Sequence, residues 1–168
     1  MTLRAAEMSD LSTVLTWISS EQESCMWAGP KLRYPAAPES AWADMKATRN
    51  NAYTFVDEKD AVIGFGQILP REGNVLHLAR LIVDPALRGQ GIGRDLCIAL
   101  MQTGASKHPA EFFTLNVYES NKAAVRLYQS LGFDVKAGVD SGAVAMIKPL
   151  TKVSKQTGLS AGAPEPVG

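Results

Sequence analysis

Apolar residues change their spacing several times along this chain, and each change marks an element. Leu3 to Ala6 reads as a short first strand. Leu11, Val14, Leu15 and Ile18 then recur at helical spacing behind Ser9 or Asp10, either of which can cap the helix. From Glu21 to Pro38 the period is lost. Gly29, Pro30, Pro35 and Pro38 interrupt the chain there, so this segment is expected to be irregular. Trp42 and Met45 place a second helix from Glu39 to about Arg49. Tyr53–Val56, Ala61–Leu69 and Val75–Val83 are strand-like, with polar turns at Glu58–Asp60 and Arg71–Asn74, and predict an antiparallel meander. Gly64 and Gly66 are candidate positions for a bulge or a close approach.

A helical period returns from about Gly91 to Lys107 on Ile92, Leu96, Ala99 and Leu100. Phe112 to Val117 reads as a central strand. A further helix is expected from about Asn121 to Leu131, with Ser120 as its candidate N-cap and Gly132 placed to end it in the left-handed conformation. Two last strands are expected near Phe133–Ala137 and Ala143–Lys148, around a turn holding Gly138, Asp140 and Gly142. Beyond Thr151 periodicity ends and glycine and proline dominate. The chain therefore divides into one domain over residues 1–150 and a flexible tail over 151–168. The element order predicts an α+β fold: a mixed, mostly antiparallel central sheet of about 6–7 strands with helices on both faces.

Composition narrows the class. The 168 residues are 46% hydrophobic and 20% charged, the balance of an ordinary globular domain with a core of its own. Acidic and basic residues number 17 each, which predicts neither nucleic acid nor a membrane surface as a partner. Cys25 and Cys97 have no metal-ligand spacing and form no disulfide framework, so no metal is expected. Cys97 falls within an apolar helical pattern and reads as a buried, inert thiol. No apolar run is long enough to span a bilayer, and a cytoplasmic protein is the expectation.

Chemistry enters at Leu81–Gly93. An apolar, β-branched run stops at Asp84-Pro85, and the glycine-rich turn Arg88-Gly89-Gln90-Gly91-Ile92-Gly93-Arg94 opens a helix. Glycines let the backbone approach an anion, and the helix N-terminus adds unpaired N–H donors and partial positive charge. Arg88 or Arg94 can add a charge-assisted contact. The turn is not a P-loop, since no Gly-Lys-Ser/Thr follows, and its Gly-Gln-Gly-Ile-Gly order is a poor dinucleotide fingerprint. By itself it is a glycine turn that could cradle a phosphate.

A second motif changes its meaning. Arg88-x-x-Gly91-x-Gly93, the lead-in Val83-Asp84-Pro85, and Asn121-x-x-Ala124-x-x-Leu127-Tyr128-x-x-Leu131-Gly132-Phe133 together resemble the GNAT superfamily of acyl-CoA-dependent N-acetyltransferases, in that family's order and separation. The likeness spans roughly residues 1–150. It implies an enzyme with acetyl-CoA as co-substrate, bound in a V-shaped gap between two splayed parallel strands, Val75–Val83 and Phe112–Val117. The pantetheine arm would pair with main-chain groups of Leu81, Ile82 and Val83, and an N–H there would stabilise the thioester oxyanion. The pyrophosphate would sit on the amides from Gly89 to Arg94. Asn121 matches the residue that contacts the arm, and Tyr128 the acid that protonates the departing thiolate. Homodimers are common in the family.

The resemblance leaves the base open. Strand Val75–Val83 carries His77 and Arg80 but no carboxylate, and strict alternation puts His77, Ala79, Leu81 and Val83 on one face. A branch resembling histone acetyltransferases places an acid near position 77. One resembling ribosomal-protein N-terminal acetyltransferases has glutamate where Asn116 stands. His77 is the candidate base, because imidazole titrates near neutrality; a weakly basic acceptor or a water chain would need none. Glu21, Glu23, Trp27 and Tyr34 are candidates for recognising a cationic, partly apolar amine. The expected function is acetyl transfer from acetyl-CoA to a primary amine by direct attack on the thioester, the amine belonging to a small molecule or a peptide. The alternative is a non-catalytic acyl-CoA sensor or interaction module.

Overall fold

A computed structural model of the protein describes residues 1–138 and 142–150; the expected tail over 151–168, and Asp140 of the last turn, lie outside the described residues. Seven strands form one sheet in the order β1-β2-β3-β4-β5-β7-β6. They are β1 (Thr2–Ala5), β2 (Ala52–Val56), β3 (Val62–Arg71), β4 (Val75–Val83), β5 (Phe112–Tyr118), β6 (Asp134–Gly138) and β7 (Ala143–Pro149). Only the β4–β5 pair is parallel. The mixed, mostly antiparallel α+β sheet expected from the sequence is the observed one.

Two apolar clusters cover its two faces. On one side α4 (Ile92–Lys107) and α5 (Lys122–Ser130) pack Leu96, Leu100, Ala124 and Tyr128 against Ile68, Leu76, Leu78, Phe113 and Leu115. On the other, α1 (Leu11–Val14), α2 (Glu21–Ala28) and α3 (Pro38–Asp44) pack Leu11, Val14, Ala28 and Ala41 around Phe65 and Ile82. Cys97 is buried in the first cluster, and burial pushes its thiol up to about 12, in keeping with an inert core residue.

Several sequence expectations are corrected. The first concerns Glu21–Pro38, which is not irregular throughout, because Glu21–Ala28 is the helix α2. Its apolar residues are consecutive and give no helical period, but Ser20-x-x-Glu23 is a capping signature, and Ser20 Oγ accepts from the Glu23 amide at 3.1 Å. In the second, the Asp10 side chain does not cap α1; it closes the 3₁₀ turn Met8–Asp10 that precedes α1 and ties strands together. It accepts from Arg4 Nη1 and Nη2 at 2.8 and 2.9 Å, from Thr54 Oγ1 at 2.8 Å and from the Glu7 amide at 2.8 Å. The third moves the cap of α5 from Ser120 to Asn121, whose Oδ1 accepts from the Ala124 amide at 3.2 Å.

The alternation expected along β4 fails at a bulge. Ala79 lies opposite Gln67 and Ile82 opposite Phe65, so Arg80 and Leu81 together face the single residue Gly66. The extra residue exchanges the faces. Before it Leu76 and Leu78 point to the α4 side; after it Leu81 and Val83 do. His77 and Ala79 therefore share the opposite, α2-covered face and are not in line with Leu81 and Val83. Arg80 takes φ of 56°, in the left-handed region that a non-glycine residue enters at a cost.

Candidate active site

Parallel pairing between β4 and β5 lasts only from Val75–His77 to Phe112–Thr114. Beyond it β5 continues to Tyr118 paired with β7 alone, while β4 continues to Val83 paired with β3 alone. The two strands thus part after His77, leaving backbone groups of β4 without a strand partner on that side. A cavity of about 400 Å³ opens where they part. His77, Ala79 and Arg80 of β4, Asn116 and Tyr118 of β5, and Trp27 of α2 are among its walls.

At the far end of β4 the chain makes a single 3₁₀ turn, Pro85–Leu87, capped by Asp84 Oδ1 on the Ala86 amide at 2.9 Å. Gly89 and Gly91 follow with φ of 80° and 84°, which only glycine adopts without strain. Gly91 is the N-cap residue of α4, and no side chain caps that helix. The amides of its first turn have no intrahelical acceptor. The turn from Gly89 to Arg94 thus presents free N–H donors at a positive helix end, a fit for a pyrophosphate. Arg88 is exposed beside it, whereas Arg94 Nη1 donates to Ser130 Oγ at 3.0 Å and links α4 to α5.

Tyr128 lies on α5, half-buried, with its ring edge-on to Phe133 at 6.0 Å between centroids. Burial, with the nearby Cys97 thiol adding to it, holds its phenol well above the usual range, so it keeps its proton at any physiological pH. Tyr128 does not line the cavity; it packs into the α4-side cluster with Leu81 and Val83.

His77 does line the cavity and is buried, with Nδ1 2.9 Å from Thr114 Oγ1. Burial foremost, and then the charges of Arg71 and Arg80, lower it to about 4. It is neutral at pH 7, but a far weaker base than the free imidazole the sequence suggested.

Expectations for the acceptor side divide. Trp27 forms part of the cavity wall, and its indole N–H donates to the Arg80 carbonyl at 2.8 Å. Tyr34 lines a separate small cavity beside Leu15 and Leu32. Glu21 and Glu23 are exposed outside the main cavity, and Glu23 Oε1 accepts from the amide and hydroxyl of Ser19, each at 2.8 Å. Sequence reasoning assigned no role to Arg71, Arg80, Cys25 or Tyr118, all of which reach the cavity. The Tyr118 hydroxyl is 3.9 Å from Cys25 Sγ. Period 2 from Asn116 was a usable signal for Tyr118; nothing in the sequence announced the bulge that brings in Arg80. Among the described residues, no cluster of three or more His, Cys, Asp or Glu side chains is placed to hold a metal, and no helix is long and apolar enough to cross a membrane.

Comparison with known proteins agrees with this geometry. The family model "Acetyltransferase (GNAT) family" matches residues 14–133. The chain is 32% identical over 140 residues to the peptidyl-lysine N-acetyltransferase YiaC of Escherichia coli, covering 79% of this chain and 83% of that protein. It is 34% identical over 74 residues to the spermine/spermidine N(1)-acetyltransferase of Bacillus subtilis, covering 44% of this chain and 49% of that one. The fold also matches the yncA protein of Salmonella typhimurium, solved with its cofactor acetyl-CoA, with a TM-score of 0.67 at 20% identity over 98% of each chain. The chain belongs to the acetyltransferase (GNAT) family and is an acetyl-CoA-dependent N-acyltransferase.

Proposed function

We propose that the protein acetylates a primary amine that enters the cavity between β4 and β5 and attacks the thioester directly. The observation that carries this reading is the parting of the two parallel strands after three paired positions, with a glycine cradle at the far end of β4 and the cavity beside it. Relatives that acetylate peptide lysine or polyamines support an amine as acceptor. Amides and carbonyls of Leu81, Ile82 and Val83 hold the extended pantetheine arm, and the amides from Gly89 through Gln90, Gly91, Ile92 and Gly93 to Arg94 hold the pyrophosphate, with Arg88 alongside. The Asn121 carboxamide oxygen is engaged in capping α5, so its NH₂ group is the part left for the arm.

In the chemical step the amine nitrogen bonds to the thioester carbon and the carbon–sulfur bond breaks. Tyr128 donates its proton to the departing thiolate, a role suited to a phenol held protonated by burial. An N–H of β4 beside the bulge stabilises the oxyanion. His77, lowered to about 4, does not deprotonate an alkylammonium before attack. Its part is to orient the neutral amine and to accept the proton as the nitrogen–carbon bond forms, when that nitrogen becomes much more acidic. In the tautomer that carries its proton on Nδ1, facing Thr114 Oγ1, Nε2 is the acceptor. The charge balance and the absence of a membrane-length apolar helix among the described residues are compatible with action in the cytoplasm.

The test is thiol release from acetyl-CoA across a panel of primary amines, with product mass confirming one added acetyl group. Saturable turnover with at least one amine is expected. Tight acetyl-CoA binding with no transfer to any amine would replace this reading with the sensor one.

A further inference from the structure

We infer that the acceptor is an amine that also carries a carboxylate, and that the Arg80 guanidinium is its anchor. This rests on the transferase reading above and concerns the same cavity. The fixed charges on the cavity wall are those of Arg71 and Arg80, and no described aspartate or glutamate lies among the lining residues. Arg80 is half-buried. Its Nη1 donates to Gln67 Oε1 at 2.8 Å, a neutral acceptor, while its Nε is buried without any hydrogen-bond partner. Neither arginine forms an ion pair among the described residues.

A half-buried guanidinium that meets no carboxylate of the protein is stabilised by an anion approaching it from the cavity, and a carboxylate suits its planar donors. The backbone holds Arg80 in place. It sits at the bulge with φ of 56°, and its carbonyl is fixed by the Trp27 indole at 2.8 Å. Burial and Arg71 both disfavour charge on Arg80, and the same surroundings disfavour a second cation. A polyamine or a lysine-rich peptide would bring more positive charge into a wall that has no carboxylate to receive it. A carboxylate-bearing amine meets the wall with the opposite sign. The two guanidiniums also lower the proton affinity of an ammonium held near them. This raises the fraction of neutral amine where a general-base carboxylate is missing.

The test compares acceptors that differ only at the carboxylate. A panel of amino acids, their primary amides and the matching decarboxylated amines is run with acetyl-CoA beside spermidine and a lysine peptide. An acid form is expected to exceed its amide by about tenfold or more in kcat/KM, with spermidine and the peptide poorer still. Arg80→Gln should collapse that acid-to-amide ratio, and Arg80→Lys should restore part of it. Because the ratio is taken within one protein, partial misfolding of a variant cancels. Amides or polyamines equal to or better than the acids, with transfer intact, would overturn the inference and leave the transferase reading standing. A second arm needs no turnover: calorimetric binding of N-acetyl amino acids and their N-acetyl amides in the presence of CoA. Acid-selective binding lost in Arg80→Gln, in a protein that acetylates nothing, would keep the anion site and remove the transfer. Binding of neither product, or of both equally, would overturn it.

Discussion

The indole N–H of Trp27 donates to the backbone carbonyl of Arg80 at 2.8 Å, fastening the covering helix α2 to the residue of β4 that breaks the strand's alternation. Trp27 also stands edge-on to Phe65, with 6.2 Å between ring centroids. One side chain therefore closes the cavity, packs on the core and fixes the bulge. Trp27→Phe keeps most of the ring packing and removes only the hydrogen bond. It is expected to cost about 1 kcal/mol of stability. In steady-state kinetics it should raise KM for the amine severalfold while leaving KM for acetyl-CoA near its original value.

Tyr128→Phe removes the proposed acid without opening a hole in the α4-side cluster. We expect kcat to fall by about 100-fold, with acetyl-CoA affinity nearly unchanged, as measured by single-turnover kinetics and by titration. Because burial holds the phenol above its ordinary value, kcat of the native enzyme should show no alkaline loss from this group below about pH 10.

His77 makes stability depend on pH in a definite direction. Its folded value is about 4 against 6.5 for the free side chain, so between these limits the unfolded chain binds more protons than the native one. The stability linked to neutral His77 is fully present above pH 6.5 and is lost as pH falls toward 4. The loss is on the order of 3 kcal/mol for a shift of this size. Urea unfolding at several pH values, compared with His77→Asn, should show the native chain losing that much more across the window.

Asp10 receives two hydrogen bonds from Arg4, one from Thr54 and one from the Glu7 amide, while only 8% exposed. Desolvation alone would raise its carboxyl, but these four donors outweigh burial and hold it below the ordinary range. Asp10→Ala leaves Arg4 and Thr54 without their shared acceptor, and we expect a loss of about 3 kcal/mol in chemical denaturation. The native carboxylate's contribution is present above its unfolded value and disappears as pH falls through its lowered folded one. The gap between native and variant should therefore narrow in acid.

Much of this was legible in the residues. Val75–Val83 and Ile92–Lys107 carried strong periods, and their bounds are the observed ones to within a residue. Gly132 was placed to end α5 in a left-handed conformation, and its φ is 100°. The α2 helix was hidden because Cys25, Met26, Trp27 and Ala28 are consecutive and Gly29-Pro30 follows, which reads as loop. The environment of His77 could not be read from spacing at all. Its loss of basicity comes first from burial that no local pattern encodes, and then from Arg71 and Arg80, brought near by the hairpin turn and the bulge. The same bulge carried Arg80 into the cavity, where the sequence had assigned the charge recognition to Glu21 and Glu23.

Strand pairing joins β1–β4 to β5–β7 through three residue pairs only. Such a sheet is two half-sheets with a seam, and the pantetheine arm proposed to lie along Leu81–Val83 would take the place of the missing neighbour. A co-substrate that binds there stabilises the native chain by mass action, about 2.7 kcal/mol at 100 times its dissociation constant. Amide exchange along Leu78–Val83 should therefore slow with added acetyl-CoA more than exchange in β2. Without a ligand in that place the seam is expected to be the part of the sheet most open to exchange and to proteases, so occupancy of the cradle bears on how long the chain lasts as well as on how fast it works.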